Sequence, residues 1–546
     1  MEVLIIQTCK CILLIIFFAL SQNVFSKEKL NDLEITDNFS GNYLSWIHAK
    51  KNGDPDGTSK FLNLITQEVK DNELLVHAFY SSLLLNDWEI SEKLARKIVL
   101  FDKHNFIANI ILSTSSFKKE KFVESINFIE NIESSIIDKS FIKIIKSWIY
   151  LQSKNNDMAL EHFKDQDCMP INCLHSALIY KQIGENQIAK SNFDKILEKS
   201  SLSLRLTEVL YSFYSKNNNS DELLLLKNKF QKNNIEENFF SQRMLNDVIT
   251  PEDGLSEIYF NISGWFYERN LYKFSIYFSN IGLTLRPNFQ ALKLLAANSY
   301  EQLDLLEYSI DKIKDIDPTS IYFSSSVYLK TSILNETGKN KELINFLKNL
   351  SNTYKDDERI EILLADTLRN EGLYKDSLTI YNKIINRYGR LDKQKYYLFY
   401  SRGITFERLK RWNKAEKDFL TALELKPNDP FILNYIGYSW LERKINIKKA
   451  LKFILIAAEQ EPQDAYIIDS LGWAYYLTGD FKKSIDILEL AVTLSPNDAT
   501  LNDHLGDAYW KDGRTREALS QWKRILVIDP DFEKIKEVKN KIATGL

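Results

Sequence analysis

Asp469-Ser-Leu-Gly-Trp-Ala-Tyr-Tyr-Leu-Thr-Gly-Asp480, continued by Phe481-Lys-Lys-Ser-Ile-Asp-Ile-Leu-Glu-Leu-Ala-Val-Thr-Leu-Ser-Pro496, decides the fold. Its Leu471-Gly472, Tyr475, Ser484, Leu488, Ala491 and Pro496 return in the next segment as Leu505-Gly506, Tyr509, Ala518, Trp522, Ile525 and Pro530. Upstream the same set reads Ile436-Gly437, Trp440, Ala450, Ile454, Ala457 and Pro462, and before that Gly403, Phe406, Ala415, Phe419, Ala422 and Pro427. The prolines are spaced by 35, 34 and 34 residues. One extra residue in the turn around Lys444–Asn446 accounts for the longer interval. Self-similarity at 34 residues is the mark of a helix–turn–helix solenoid.

The spacings have a mechanical sense. A small residue near the middle of the first helix lets a neighbouring helix approach, and the bulky residue three later fills the gap on the same face. Gly479-Asp480 and Gly513 end the first helix, where glycine takes a left-handed conformation cheaply. Ala415, Ala450, Ser484 and Ala518 allow a close crossing of the second helix. The proline follows because it cannot continue that helix. The class expected is all-α, an α-solenoid of helical hairpins.

These segments resemble tetratricopeptide repeats. The runs Tyr400–Arg408, Leu433–Trp440, Asp469–Tyr476 and Asn502–Trp510 are also similar to a family of exported alphaproteobacterial tetratricopeptide-repeat proteins. Gly41-Asn-Tyr-Leu44 with His48-Ala49, and Thr250-Pro-Glu-Asp-Gly254, resemble two further landmarks of that family. The resemblance is dense over 391–530 and thin before it. It implies a right-handed superhelix and a family described by its repeats, with no demonstrated activity to carry over.

At 546 residues the chain exceeds what one compact core holds. A solenoid escapes that limit because each repeat packs on its neighbours. The formal charge of −3 gives no basic footprint, so a general nucleic-acid binder is not expected. Residues 1–26, with an apolar run from Cys11 to Leu20, read as a secretory signal peptide cut after Ser26, or as an uncleaved N-terminal anchor. The expected location is therefore exported, in the periplasm or membrane-associated on its periplasmic side. Degenerate repeats follow over 27–230, and an irregular boundary or bend over 231–254. Divergent repeats fill 255–390, regular ones 391–530, and a capping helix 531–546. Cys168 and Cys173 read either as a small-loop disulfide, which an oxidising compartment permits, or as two half-buried thiols.

In tetratricopeptide arrays the first helix of each repeat lines the concave groove. By the family's pattern the groove positions here are Tyr397, Tyr400, Glu407 and Arg408; Asn434, Tyr438 and Glu442; Asp469, Trp473 and Tyr476; and Asp503, Asp507, Trp510 and Lys511. Tyrosine, tryptophan and arginine at such positions suit an extended peptide. Trp412, Trp440 and Trp522 fit packing positions. Trp473 and Trp510 fit groove or core equally, and Asp469, Asp503 and Asp507 fit either ligand contact or bonds between repeats. His504 and Asp507, three apart on one helix, lack a second ligand cluster, so no metal is expected. No phosphate-cradling loop, nucleophile elbow or His-Glu-x-x-His helix is present. The expectation is a non-catalytic scaffold without cofactor, small-molecule substrate or nucleic acid, binding a protein partner of the cell envelope. The alternative is an adaptor that binds glycan or regulates a cell-wall enzyme.

Overall fold

The computed structural model describes residues 39–546 apart from 53, 69–70, 134–136, 165–169, 200, 232–242, 356 and 388–392. The signal segment and Cys168 fall outside the described residues. Among these the structure is helical throughout, with one isolated bridge, Met244 to Ser320. No described helix is long and apolar enough to cross a membrane. The chain divides into two compact units, at Glu336 and Thr337. That division falls within the divergent repeats of 255–390.

The first unit begins with six helical hairpins. They are α1 (Phe39–Lys51) with α2 (Pro55–Glu68), α3 (Asn72–Leu84) with α4 (Trp88–Phe101), and α5 (Phe106–Lys118) with α6 (Phe122–Glu130). Then come α7 (Lys139–Gln152) with α8 (Asn156–Glu161), α9 (Pro170–Ile183) with α10 (Asn186–Leu197), and α11 (Leu204–Lys216) with α12 (Ser220–Gln231). They are followed by α13 (Pro251–Tyr267), α14 (Tyr272–Leu285), α15 (Gln290–Glu301), α16 (Leu306–Ile313) and α17 (Phe323–Glu336).

The hairpin α13–α14 does more than pack on its sequence neighbours. It lies against α3, α5, α7 and α9, the first helices of four successive hairpins. Tyr259 OH bonds Thr114 at 2.7 Å, and Asn280 Nδ2 donates to the Leu83 carbonyl at 2.8 Å. Tyr277 stacks on Tyr80 at 5.5 Å, and Phe141 meets Trp265 edge-on. The inner face of the N-terminal hairpins is therefore filled by the chain itself. This explains why α5 is buried on every side from Phe106 to Phe117. With no charged residue before Lys118, this helix has no solvent face and belongs in an interior.

The Thr250-Pro251-Glu252-Asp253-Gly254 landmark is the joint that makes this possible. Thr250 and Asp253 form a capping box at the start of α13, with Pro251 at its first position. Asp253 also pairs with Arg286 at 3.2 Å. At Gly254 an added Cβ would stand 2.3 Å from the ring of Trp148, so only glycine lets α13 close on α7. Upstream, residues 243–250 run without helix over a buried ion cluster. Arg205 Nη2 and Nε bond Glu257, its Nη1 bonds Glu208 at 2.5 Å, and Tyr322 OH donates to Glu208 at 2.7 Å.

The second unit comprises α18 (Asn340–Thr353), α19 (Glu358–Asn370), α20 (Tyr374–Asn386), a short 3-10 turn (Lys393–Lys395), α21 (Tyr396–Arg408), α22 (Trp412–Leu425), α23 (Pro430–Glu442) and α24 (Ile447–Gln460). It ends with α25 (Ala465–Thr478), α26 (Phe481–Leu494), α27 (Ala499–Lys511), α28 (Thr515–Ile528) and α29 (Ile535–Thr544). Packing follows the repeat logic. A Cβ on Gly472 would stand 2.5 Å from Leu488, and one on Gly506 would stand 2.4 Å from the Trp522 indole. Trp440 and Trp522 are core residues. The extra residue in the α23–α24 turn is accommodated by two left-handed residues, Lys444 and Asn446.

Candidate functional site

The first helices α21, α23, α25 and α27 line one open concavity of about 670 Å³. Of the groove positions read from the sequence it gathers Glu407, Arg408, Asn434, Tyr438, Glu442 and Asp469. It adds Tyr435, Ser439, Arg443, Tyr466, Ser470, Thr500 and His504. Tyr466 is 61% exposed and donates to Asp498 at 3.3 Å. Tyr435 and Tyr438 are half-buried, and burial pushes the Tyr435 hydroxyl up to about 12 and that of Tyr438 higher still. Asn434 Oδ1 is shielded from solvent and has no donor.

The charges are ordered by contacts between repeats. Arg443 Nη2 donates to Glu407 at 2.6 Å while its guanidinium covers Trp412 at 4.2 Å. His504 Nδ1 donates to both oxygens of Asp469, at 3.0 and 2.9 Å. Trp473 stacks on His504 at 4.1 Å and on Tyr476 at 4.5 Å, and its Nε1 donates to Glu442 at 2.8 Å. Burial works against a charged His504, but Asp469, with Asp503 and Asp507 behind it, outweighs burial and holds the imidazole above its ordinary value.

The remaining positions expected in the groove are engaged inside the array. Asp503 and Asp507 are buried, and both accept from Lys541 of α29, at 2.8 and 2.7 Å. Asp507 also accepts from Trp522 Nε1 at 3.1 Å. Trp510 packs on Trp522 and beneath Gly545. Tyr400 sits between Phe419 and Tyr435, and Tyr397 reaches Glu358 at 3.4 Å. Trp473 and Tyr476 form the stack just described, outside the lining of the concavity, and Lys511 is exposed on α27 without lining it. Asp469 thus bonds to the next repeat, while Asp503 and Asp507 bond to the terminal helix α29.

Residues 465–498 match the tetratricopeptide repeat. No curated protein matches the chain. Among solved structures, the Cut9–Hcn1 heterotetramer of the APC/C is similar at 14% identity and a TM-score of 0.39, covering 87% of this chain and 97% of that one. A tetratricopeptide-repeat protein of Parabacteroides merdae reaches 16% identity and 0.39, over 46% and 98%. MamA of Desulfovibrio magneticus reaches 22% and 0.28, over 33% and 98%. The repeat match and the stacked helical hairpins make this chain an α-solenoid of the tetratricopeptide kind. Arrays of this kind present concave surfaces that act as protein-interaction scaffolds.

The acids and bases of the concavity are largely paired, and among the described residues no group of three or more His, Cys, Asp or Glu side chains is placed to hold a metal ion. Cys173, buried in α9, is disulfide-bonded. Its expected partner, Cys168, lies outside the described residues.

The Asp469–His504 pair has a measurable consequence. A histidine held above its ordinary value in the folded state adds stability that is complete below the unfolded value of 6.5 and fades as pH rises through the folded one. Amides of α25 and α27 are expected to exchange faster as pH rises through that range, after correction for intrinsic rates. In Asp469→Asn that extra dependence should vanish. Identical pH profiles for the two proteins would remove His504 as the titrating group.

Proposed function

We propose that this chain is a non-catalytic scaffold of the bacterial cell envelope that holds an extended segment of a partner protein against α21, α23, α25 and α27. The observation that carries the reading is the contrast between two inner faces. In the first unit that face is filled by α13–α14, whereas in the second a tyrosine-rich concavity lies open. Tyr435, Tyr438 and Tyr466 offer large rigid surfaces with a polar tip, and aromatic anchors of this kind dominate binding energy. The expected exported location supports the envelope setting, through the apolar leader at 1–26 and the resemblance to exported alphaproteobacterial proteins. On that reading the partner is periplasmic or membrane-associated.

The test follows from which side chains are committed internally. Trp473 and Asp507 are poor targets because their loss would disturb the array. Tyr438→Ala with Tyr466→Ala truncates lining residues only. Partner recovery is expected to fall at least about tenfold, corresponding to about 1.4 kcal/mol or more, with helicity unchanged. Leu490→Ala, on the exposed side of α26, should leave recovery intact. Full recovery by the double variant would place the partner elsewhere.

A further inference from the structure

Two neighbouring turns of the second unit are strongly basic. Residues 410–417, from the α21–α22 turn into α22, hold Lys410, Arg411, Lys414 and Lys417 against one acid, Glu416. Residues 443–452, from the α23–α24 turn into α24, hold five basic residues and no acid. The turns lie side by side. Arg443 covers Trp412 at 4.2 Å and bonds Glu407 at 2.6 Å, and Trp440 Nε1 donates to Glu416 at 2.6 Å. Those contacts engage Arg443 and Glu416. Lys410, Arg411, Lys444 and Lys448 are exposed and make no ion pair among the described residues. Neither α22 nor α24 has an acid in its first turn or a side-chain cap, whereas α26 is capped by Asp480 and α28 starts with Glu517. Basic side chains at a helix start face the positive end of its dipole, so the sequence bears an electrostatic cost here.

The α23–α24 turn, longer by one residue than its counterparts, also exposes two isoleucines among these lysines. Ile445 is 37% exposed and Ile447 42%. Aliphatic side chains ringed by lysines suit a lipid surface. The aliphatic groups enter the acyl boundary while the ammonium groups stay at headgroup level. Nucleic acid would engage the same charges, leave the isoleucines in water and ask for open aromatic faces, but Trp412 is already covered by Arg443. Each lysine or arginine near an anionic leaflet adds attraction that decays within a Debye length, so the contact is reversible and salt-sensitive. We propose that the edge formed by the α21–α22 and α23–α24 turns docks on the surface of an anionic phospholipid membrane. This surface is separate from the concavity and does not depend on what the concavity binds. Arg443 borders both, so a docked chain holds the concavity close to the bilayer.

The probes are vesicles of phosphatidylglycerol or of phosphatidylcholine, added to the full chain. Hydrogen exchange reads the place of contact, whatever residues 1–26 contribute to overall binding. The amides of 447–449, at the start of α24, have no partner inside the helix and report directly. They are expected to slow at least about tenfold with phosphatidylglycerol at low salt, and to recover at high salt or with phosphatidylcholine. Arg411→Glu with Lys448→Glu, one exchange in each turn, should abolish the slowing with helicity unchanged. Ile445→Ser with Ile447→Ser should raise the lipid needed for half the effect about threefold or more. Unchanged slowing in the charge variant would overturn the proposal, as would equal slowing by both kinds of vesicle or slowing by neither. Slowing by soluble polyglutamate or a single-stranded oligonucleotide, and not by vesicles, would give the edge to an acidic macromolecule and overturn the lipid assignment.

Discussion

Arg205→Met is expected to destabilise the first unit by about 3–5 kcal/mol, the usual result of leaving buried charge without its partner. Arg205 is 3% exposed, Glu208 1% and Glu257 0%. The guanidinium satisfies both carboxylates and the Asn246 carbonyl, which it reaches at 2.7 Å, and it lies over Phe289 at 4.8 Å. It thereby ties α11, α13 and the run through Asn246 into one cluster. Removing it leaves two buried carboxylates without their counter-charge. Arg205→Lys restores the charge but not the fork, and a smaller loss is expected because bidentate contact is what the site is shaped for. Urea denaturation of the three proteins checks this. A loss below about 1 kcal/mol for Arg205→Met would mean that the cluster does not hold the inner hairpin in place.

Acid is expected to weaken the same unit through His175. This residue is buried, accepts from Trp148 Nε1 at 2.9 Å through Nδ1, and meets Asn261 Oδ1 at 3.1 Å through Nε2. Both contacts are satisfied by the neutral ring with its proton on Nε2. A second proton on Nδ1 would break the Trp148 bond. Burial is the main cause that takes the imidazole down to about 3, only partly opposed by the bond to Asn261. Above pH 6.5 neither folded nor unfolded chain carries the extra proton, so stability does not depend on it. Below that value the unfolded chain takes the proton and the folded chain refuses it. Stability should fall by about 1.4 kcal/mol per pH unit, or about 3 kcal/mol by pH 4. His175→Gln, which cannot charge, is expected to flatten this slope although its stability at pH 7 is lower. Parallel slopes for the two proteins between pH 6.5 and 4 would assign the acid sensitivity to other groups. The sign is opposite to that of His504, whose contribution to the second unit fades as pH rises.

The repeats near the C-terminus were legible because the small and bulky positions recur with a proline every 34 or 35 residues, and two of them also carry glycine in the turn. Gly479 and Gly513 adopt positive φ between first and second helix. Of the N-terminal hairpins only α9–α10 among the described residues turns on glycine, Gly184; in four others Asn86, Glu120, Lys154 and Asn218 carry the turn. A non-glycine residue tolerates that conformation at a cost of about 1–2 kcal/mol, which packing of the hairpin offsets. The turn therefore survives while its sequence signal disappears, and only helical periodicity and polar clusters such as Asn155-Asn156-Asp157 still mark it. The return of α13–α14 into the first unit was not read from the sequence. Its one trace was Phe106–Phe117, a helix with no charged face, which needed an interior on both sides.

The candidate site was half legible for a related reason. Repeat position identifies the side chains of the first helices, and it found Glu407, Arg408, Asn434, Tyr438, Glu442 and Asp469. It cannot tell which of them another repeat has already claimed. Asp503 and Asp507 look like groove acids until α29 places Lys541 between them. Tyr435, Tyr466 and His504 were missed although they sit on the same helices, because the pattern weighted other faces of the turn.

The most direct test of the account is crosslinking in cells from single photoreactive residues in the otherwise intact chain. Substitution at Tyr438 or Tyr466, in the concavity, is expected to yield one adduct of common mass with the partner. Substitution at Leu490 or Val123, exposed on second helices, is expected to yield none. An adduct that forms from Leu490 or Val123 and not from Tyr438 or Tyr466 would contradict the claim that the open inner face of the second unit is the binding surface.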